Sequence, residues 1–304
     1  MYVLLGSNGQ ITSQLARRLL AGGHRVRVLG RQPASLEPLA RAGAETRAGD
    51  AGDADWLARA LEGASAAYVM IPPGYAEPDM RAAQDRIGQA IARALARAPV
   101  PRVVNLSSLG AELAAGTGPV VGLHAQEKRL DAIAGLDLLH LRPGYFMENL
   151  LHAMAPIAAA GVLPGMEAPD APIPMAATAD IAAVAARELV QPSRRGVLLL
   201  HAARHVTMRQ ATAAIAAAIG LPGLAYVQAS PEGAKAVMQS QGMSADAADQ
   251  LAELARWIST AALSSAQAAP VEILPTGIEA FARERFAPAF EAHRSAAPAA
   301  VETP

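Results

Sequence analysis

The sequence contains no cysteine, and only 4% of its residues are aromatic. The absence of cysteine excludes disulfides, thiolate metal sites and cysteine nucleophiles. An excess of one charge is also missing, because 26 basic residues are balanced by 27 acidic ones, for a net charge of −1. Such a chain has no basic field to attract nucleic acid or an anionic membrane. We therefore predict neither of these partners.

Long apolar runs and a leader are lacking as well. No stretch of roughly 18 apolar residues is free of charges, which argues against a membrane-spanning helix. The first residues, Met1-Tyr2-Val3, do not form the basic n-region of a signal peptide. With the absence of cysteine, this indicates a cytoplasmic location. The seven histidines show no ligand-like spacing with carboxylates, so no metal site is predicted.

The 304 residues, of which 52% are hydrophobic, suffice for one large or two smaller domains with a sizeable core. Segments of strand and helix character alternate through the first half, which is typical of an α/β protein with a parallel sheet. We predict a Rossmann-type doubly wound parallel sheet over residues 1–150, which also receives a strand near 196–201. Residues 151–290 are predicted to form a smaller, mainly helical and discontinuous substrate domain. The Ala/Pro-rich residues 291–304 are expected to be disordered.

Several helices can be delimited from the sequence. Glycines that follow an apolar-periodic segment predict a helix over 10–21, and Asp53 is a suitable N-cap for a helix over 54–61. Further helices are predicted over 208–219 and 244–262. Residues 161–174 contain many glycines and prolines and are predicted to be a loop.

The start of the chain carries a motif for nucleotide binding. Residues 3–11, VLLGSNGQI, form an apolar strand, a glycine turn and the beginning of a helix. Such a turn lets backbone N–H groups approach a pyrophosphate, and the helix directs its positive end at the charge. Thr12 stands where a full fingerprint has a smaller residue, so an ordinary strand–turn–helix is the alternative. The predicted cofactor-binding residues here are Gly6, Ser7, Asn8, Gly9, Gln10 and Ile11.

Further candidates follow the other predicted strands. In an open parallel sheet, ligands bind beyond the carboxyl ends of the strands, so residues at those ends converge on one crevice. They are Arg31, Asp50, Ile71, Pro72, Pro73, Ser107, Ser108, Pro143, Gly144, Tyr145 and Phe146.

Arg31 bears on the choice of cofactor. An NAD site usually has a carboxylate at the end of the second strand, whereas an arginine suits the 2′-phosphate of NADP. One charge-assisted contact of about 1.5–3 kcal/mol corresponds to a preference of roughly 10- to 100-fold. NADP(H) is therefore the preferred cofactor and NAD(H) is possible, while the alternative is a surface arginine without this role.

Acid–base candidates lie nearby. A hydroxyl of Ser107 or Ser108 could hold a substrate carbonyl, or it could simply satisfy local backbone. His124 and Lys128 are four residues apart on one helical face, so the histidine could pass a proton and the lysine could hold the nicotinamide ribose. The alternative is a solvated face on which Lys128 pairs with Asp131. Tyr145 and Phe146 could form an apolar wall beside the nicotinamide, or they could pack in the core.

Together these residues resemble the NmrA-like branch of the atypical short-chain dehydrogenase/reductases. The motif with the greatest specificity is LRPGYFMENL at 141–150. Other matches are GSNGQ at 6–10, VLGRQP at 28–33, GD at 49–50, IPP at 71–73, NLSS at 105–108 and HAQEKRL at 124–130. The resemblance covers most of residues 1–290 and is specific over 1–150.

This resemblance implies a Rossmann fold that binds NADP(H) or NAD(H), with cofactor contacts from the strand-end residues and Lys128. Tyr145, Phe146 and Asn149 are implied as substrate contacts. In typical members of the superfamily a serine and a Tyr-x-x-x-Lys pair perform the acid–base chemistry. Here His124 occupies the tyrosine position, so the phenol is missing.

Three hypotheses about function follow. The leading one is an NADP(H)-dependent reductase of a small apolar or aromatic carbonyl or quinone, with Ser107 or Ser108 holding the acceptor oxygen and His124 or water giving the proton. The second is a non-catalytic dinucleotide sensor that regulates a protein partner. The third is an isomerase or reductase of a phenolic or sugar-like substrate with Lys128 as base. A monomer or a homodimer is compatible with each.

Overall fold

The sheet at the centre of the fold is entirely parallel. In a computed structural model of the chain, which describes residues 1–7, 9–260 and 269–296, eight strands form this sheet in the order β12-β10-β6-β5-β4-β1-β2-β3. Successive strands are added outward from β1 in one direction as far as β3 and then in the other direction from β4, so the strand order reverses between β1 and β4, as in a doubly wound fold. The strands are β1 (Tyr2–Leu5), β2 (Val26–Gly30), β3 (Glu45–Ala48), β4 (Ala66–Val69), β5 (Arg102–Leu106), β6 (Asp137–Pro143), β7 (Tyr145–Phe146), β8 (Val162–Gly165), β9 (Met175–Ala176), β10 (Gly196–Ala202), β11 (Ala225–Gln228) and β12 (Val271–Leu274), of which β7–β9 and β11 lie outside the main sheet.

Helices connect the strands and cover both faces of the sheet. They are α1 (Gln10–Ala21), α2 (Pro33–Arg41), α3 (Ala54–Leu61), α4 (Met80–Arg97), α5 (Val120–Asp131), α6 (Met154–Ala160), α7 (Thr178–Val190), α8 (Met208–Ile219), α9 (Pro231–Ser240), α10 (Ala245–Ser259), α11 (Ile278–Phe281) and α12 (Ala287–Ala296). A 3₁₀ segment, Met147–Ala153, precedes α6, and a π-helical segment, Ala282–Phe286, joins α11 to α12.

Alternation along the strands separates two cores. Leu4 packs with α1, α2 and α7 on one face, whereas Val3 and Leu5 pack with α3, α4 and α5 on the other. Because successive side chains of a strand point to opposite faces, a near-continuous apolar run is what a sheet covered on both sides requires. The predicted Rossmann-type α/β fold is confirmed.

A third core belongs to the second half of the chain. It contains buried side chains from the 3₁₀ segment, α6, α8, α10 and the α11–α12 region, with Phe281 and Phe286 fully enclosed. Strands β8 and β11 pair beside it, and β7 pairs with β9 close to the main sheet. This mainly helical region, here called the cap, matches the predicted smaller C-terminal part.

The helices predicted over 10–21, 54–61 and 208–219 are present in the structure with the same bounds. Other expectations differ from the structure. The predicted loop over 161–174 contains β8, and two late strands, β10 and β12, join the sheet where only one was expected. The expected disorder from residue 291 is wrong up to residue 296, because α12 continues to that point with Phe290 buried in the cap core. Residues 297–304, and the predicted helix end at 261–262, lie outside the described residues.

Among the helices of the described residues, none combines the length and the apolar character that a membrane crossing demands.

Candidate functional site

The glycine turn follows β1 directly. Gly6 has φ +105°, and a Cβ there would lie 3.2 Å from Thr12 Oγ1 and 3.3 Å from Met70 Sδ. Both the left-handed backbone and the lack of space favour glycine. The Gly6 amide, however, donates to the Leu29 carbonyl at 2.9 Å. Gly6 therefore shapes the turn, and its own N–H is used in the sheet.

The N-terminus of α1 supplies the free donors. Gly9 is its N-cap and carries no side-chain cap, so among the described residues the amides of Gln10 and Ile11 have no hydrogen-bond acceptor. The Ile11 side chain is buried in the core, which leaves only its backbone for a ligand. The Ser7 hydroxyl is already bonded to Ser35 Oγ at 2.8 Å. Asn8 lies outside the described residues.

Arg31 and Asp50 end two neighbouring strands but differ in their surroundings. Arg31 is exposed and, within the described part of the chain, has no ion-pair partner. Asp50 instead pairs with Arg86 at 3.1 Å and accepts from the Gly52 amide at 2.8 Å. The guanidinium is thus available to an anion, whereas the predicted cofactor residue Asp50 is already engaged in a turn and an ion pair.

The segment after β4 contributes through its prolines. Ile71 is buried in the core on the α3–α5 face of the sheet. Pro72 is half-buried and Pro73 exposed. Of the three predicted residues, the prolines are the ones whose side chains reach the surface.

The two serines after β5 are not equivalent. Ser108 Oγ donates to the adjacent Leu109 carbonyl at 3.0 Å, which is the local backbone role given above as the alternative. Ser107 is 3% exposed, and its hydroxyl has no partner within the described residues. A buried hydroxyl without a partner is costly, so Ser107 is the serine with an unused hydrogen bond.

His124 and Lys128 lie on α5. This helix is next to residues 107–111, which follow β5 and are here called the serine loop. His124 Nδ1 is 2.8 Å from the Ala111 carbonyl oxygen. A carbonyl only accepts, so Nδ1 carries the proton and Nε2 of the neutral ring carries none. Lys128 is exposed and unpaired within the described residues, because Asp131 contacts His140 Nε2 at 3.2 Å instead.

A buried ion-pair network, which sequence reasoning did not identify, fixes α5 to the sheet. Arg142 of β6 donates to Glu127 through Nε at 2.9 Å and through an Nη at 2.5 Å, and to Glu112 at 3.1 Å. Glu127 lies between His124 and Lys128 in the sequence. The strand thereby sets the position of the helix that carries both candidates.

The residues that follow β6 pack against two different cores, that of the cap and that of the sheet. A Cβ at Gly144 would overlap the Pro174 carbonyl, so only glycine permits this approach. Tyr145 packs against the cap core and Phe146 against the sheet core. They therefore do not form one continuous wall, and Tyr145 is the ring on the cap side. Asn149, four residues after Tyr145, is exposed.

Helix α10 of the cap contacts the serine loop, which follows β5. A Cβ at Gly110 would lie 2.7 Å from the ring of Trp257. Gly110 is two residues beyond Ser108, so the indole covers the serine loop. No sequence signal places Trp257 there, because the contact joins segments far apart in the chain.

The comparisons with known proteins agree with this architecture. A family model described as the NmrA-like family matches residues 2–282. The NAD(P)H azoreductase of Xenophilus azovorans is 29% identical over 257 residues, which cover 84% of this chain and 86% of the relative.

Two solved structures have the same fold. The NADPH-dependent quinone oxidoreductase of Escherichia coli, in complex with NADPH, superposes with a TM-score of 0.73 at 23% identity, over 94% of this chain and 100% of the other. The triphenylmethane reductase of Citrobacter sp., in complex with NADP(H), gives a TM-score of 0.73 at 17% identity, over 92% and 98%. At such identities the likeness demonstrates the fold.

Proposed function

Since the chain belongs to the NmrA-like family, we propose that it is an NADP(H)-dependent reductase of a small apolar or aromatic carbonyl or quinone. The observation that carries the proposal is the cradle at the carboxyl ends of β1 and β2. There the left-handed Gly6, the open N-terminus of α1 and the exposed Arg31 lie at one edge of the sheet. The relatives described above, named as azo, quinone and triphenylmethane reductases, support the same reaction class.

The residues of the cradle fit a dinucleotide. The amides of Gln10 and Ile11 would bind the diphosphate, because they point from a helix N-terminus and lack other acceptors within the described residues. Arg31 would bind a 2′-phosphate through its planar fork. Lys128 would hold the ribose next to the nicotinamide. When bound, the cofactor supplies the hydride.

The other side of the crevice is suited to an apolar acceptor. Tyr145 and Trp257 belong to the cap core and would exclude water from a ring placed between them and the strand ends. Ser107 Oγ, which is free among the described residues, would donate a hydrogen bond to the acceptor oxygen. Holding the acceptor in this way contributes to the rate through orientation.

Arg31→Ala tests the cofactor assignment. We expect NADP affinity to fall by at least about tenfold and NAD affinity to change little, since only the 2′-phosphate contact is removed. Isothermal titration with both nucleotides measures the two dissociation constants. Arg41→Ala, at an exposed position of α2, is the matched control and should leave both constants unchanged. Equal losses for NADP and NAD in Arg31→Ala would refute the assignment.

Turnover tests the reaction itself. We expect NADPH oxidation with at least one member of a panel of quinones, aromatic carbonyls and cationic triarylmethyl dyes. The sensor alternative is favoured by one observation, the contact of His124 Nδ1 with the Ala111 carbonyl, because it leaves Nε2 of a neutral imidazole without a proton to donate. Tight NADPH binding with no turnover across the panel, together with a protein partner whose affinity differs between NADP and NADPH, would establish the sensor instead.

A further inference from the structure

The first turn of the cap helix α10 is bonded to the segment that follows β4. The amide of Ser244, the N-cap of α10, donates to the Tyr75 carbonyl at 2.8 Å. Two residues later, Asp246 Oδ2 accepts from the Met80 amide at 2.9 Å. Tyr75 lies between β4 and α4, and Met80 is the first residue of α4. One end of α10 is therefore held at the carboxyl end of β4.

The rest of α10 lies on the segment between β5 and α5. Glu253 Oε2 accepts from the Gly118 amide at 3.2 Å. A Cβ at Gly118 would lie 1.9 Å from the Gln250 carbonyl oxygen, so the backbones of the helix and the loop are in contact. One helical turn beyond Glu253, the Trp257 ring covers Gly110 of the serine loop. Helix α10 thus bridges the carboxyl ends of β4 and β5.

This bridge encloses the serine loop on its third side. The loop is bonded to β6 through the Ser107 amide and the Leu141 carbonyl at 2.8 Å, and to α5 through Ala111 and His124. Helix α10 covers it from the cap. The Ser107 hydroxyl is buried, so an acceptor that bonds to it must displace one of these neighbours. Strand β6 belongs to the sheet and Arg142 fixes α5 to that strand, which leaves α10.

The attachment of α10 to this loop is poorly satisfied. Thr117 Oγ1, Gln250 Oε1 and Trp257 Nε1 are buried and have no hydrogen-bond partner within the described residues. Such groups lose their bonds to water while α10 is docked and regain them when it is released, which weakens docking. The apolar face of α10, by contrast, contributes Ile258 to the cap core. Release would therefore separate α10 from the strand ends and leave it with the cap.

The outer side of α10 offers little resistance to such a movement. The neighbouring helix α9 has no buried residue. A cavity of about 380 Å³ lies between the two helices, lined by Pro231 and Lys235 on α9 and by Asp249 on α10. An outward shift of α10 would therefore not disrupt a packed core.

The dinucleotide cradle lies apart from this helix. Among the described residues, no hydrogen bond or ion pair joins α10 to residues 6–7, to residues 9–11 or to Arg31. We infer that α10 is a gate, which releases the segments after β4 and β5 to admit the acceptor to Ser107 and then closes over it. The cradle stays accessible to NADP(H) in both positions of the gate. This inference rests on the proposed function.

A disulfide across the gate tests the inference directly. The chain has no cysteine of its own, so Tyr75→Cys/Ser244→Cys introduces the sole pair. The backbone hydrogen bond between these residues places their Cα atoms roughly 5–6 Å apart, which suits a disulfide. In the oxidised pair we expect kcat/KM for the acceptor to fall by at least about tenfold, because the gate cannot open. The Kd for NADPH should stay within about twofold of that of the reduced pair, because the cradle is not covered.

The controls for this experiment use the same positions. Reduction of the pair, followed by removal of the reductant, should restore the rate. Tyr75→Cys and Ser244→Cys alone cannot form the bond, so oxidation should not change the rate of either. Equal acceptor rates in the oxidised and the reduced pair, with the bond confirmed by mass spectrometry, would overturn the inference.

Hydrogen exchange in the native protein is the second measurement, and it decides the question even if the pair misfolds or does not oxidise. The amides of Ser244 and Gly118 donate across the gate. Both should exchange through one local opening, at least about tenfold faster than the amides of β5 and without dependence on low concentrations of urea. Exchange of both amides as slow as that of β5 would show that α10 is released only when the whole protein unfolds, and would contradict the gate.

The outcomes distinguish this inference from the proposed function. If the native protein oxidises NADPH with no acceptor, the proposed function fails, and hydrogen exchange still decides whether α10 opens. If acceptors are reduced at the same rate by the oxidised and the reduced pair, only the gate fails.

Discussion

A single hydrogen bond distinguishes Ser107 from Ser108. The Ser108 hydroxyl is used by its own loop, and the Ser107 hydroxyl is buried without a partner within the described residues. We expect Ser107→Ala to lower kcat/KM for a carbonyl acceptor by roughly 2- to 12-fold, because the lost bond is worth about 0.5–1.5 kcal/mol. Steady-state kinetics checks this value. Ser108→Ala is the control, and a larger loss there than in Ser107→Ala would reverse the assignment.

The Arg142–Glu127 pair is the buried interaction that positions α5. Side-chain exposure is 10% for the arginine and 6% for the glutamate. Arg142→Met should destabilise the protein by about 3–5 kcal/mol, because it leaves a buried carboxylate without its cation. Urea denaturation measures the loss. The double variant Arg142→Met/Glu127→Gln should recover most of it, and no recovery would show that the pair is not the cause.

Sequence reasoning at this scale identified residue types more reliably than partners. Arg31 follows β2 directly, as its place in the sequence indicates, and it is exposed, while its role toward a cofactor stays a prediction. The ion pair of Asp50 could not be predicted in this way, because its partner Arg86 lies on α4, a later part of the chain. The network around Arg142 was missed for the same reason. A partner that is distant in the chain leaves no local signal.

Among the elements, the turn between β6 and β7 depends on close backbone approach. Gly144 lies against the Pro174 carbonyl, and its amide donates to Leu200 at 2.9 Å. Gly144→Ala should destabilise the protein by about 1–3 kcal/mol, because backbone cannot move aside as a flexible side chain would. Thermal or urea unfolding checks this. Gly223→Ala is the control, because nothing lies within 4 Å of a Cβ there, and a comparable loss in it would contradict the steric explanation.

An element could be predicted where the sequence contains a clear signal for its start or its end. The helix over 54–61 was bounded correctly because Asp53 accepts from the amides of Asp55 and Trp56, as an N-cap does. Strands β11 and β12 were missed because most of their side chains are exposed, so they lack the buried apolar run that marks the equally short β1 and β4. Helix α9 was also missed, although Ser230 followed by Pro231 is a start signal that could have identified it.

At the scale of the whole molecule, the candidate site lies between the sheet and the cap, each of which has a core of its own. The sheet determines the cradle, and its residues follow a local strand–turn–helix pattern that a sequence reveals. The cap contacts instead join segments far apart in the chain, as where Tyr226 Oη donates to the Glu167 carbonyl and the Ala168 amide donates to Ser259 Oγ. Local patterns therefore predicted the strand, turn and helix that form the cradle, and they could not predict the contacts that the cap makes.

Glu167, a cap residue that is only 8% exposed, makes the global stability depend on pH. Its pKa is raised in the folded protein, so between 4.5 and that raised value the folded state binds more protons than the unfolded state. Stability must then fall as pH rises through this window. Glu167→Gln removes this ionisable group. At pH values above the raised pKa, the variant should be more stable than the native protein, by about 1.4 kcal/mol for each unit by which the pKa is raised. Urea unfolding from pH 4 to pH 8, with Glu232→Gln as control, measures the difference. Parallel stability curves for the native protein and Glu167→Gln would mean that Glu167 ionises as freely in the cap as in the unfolded chain.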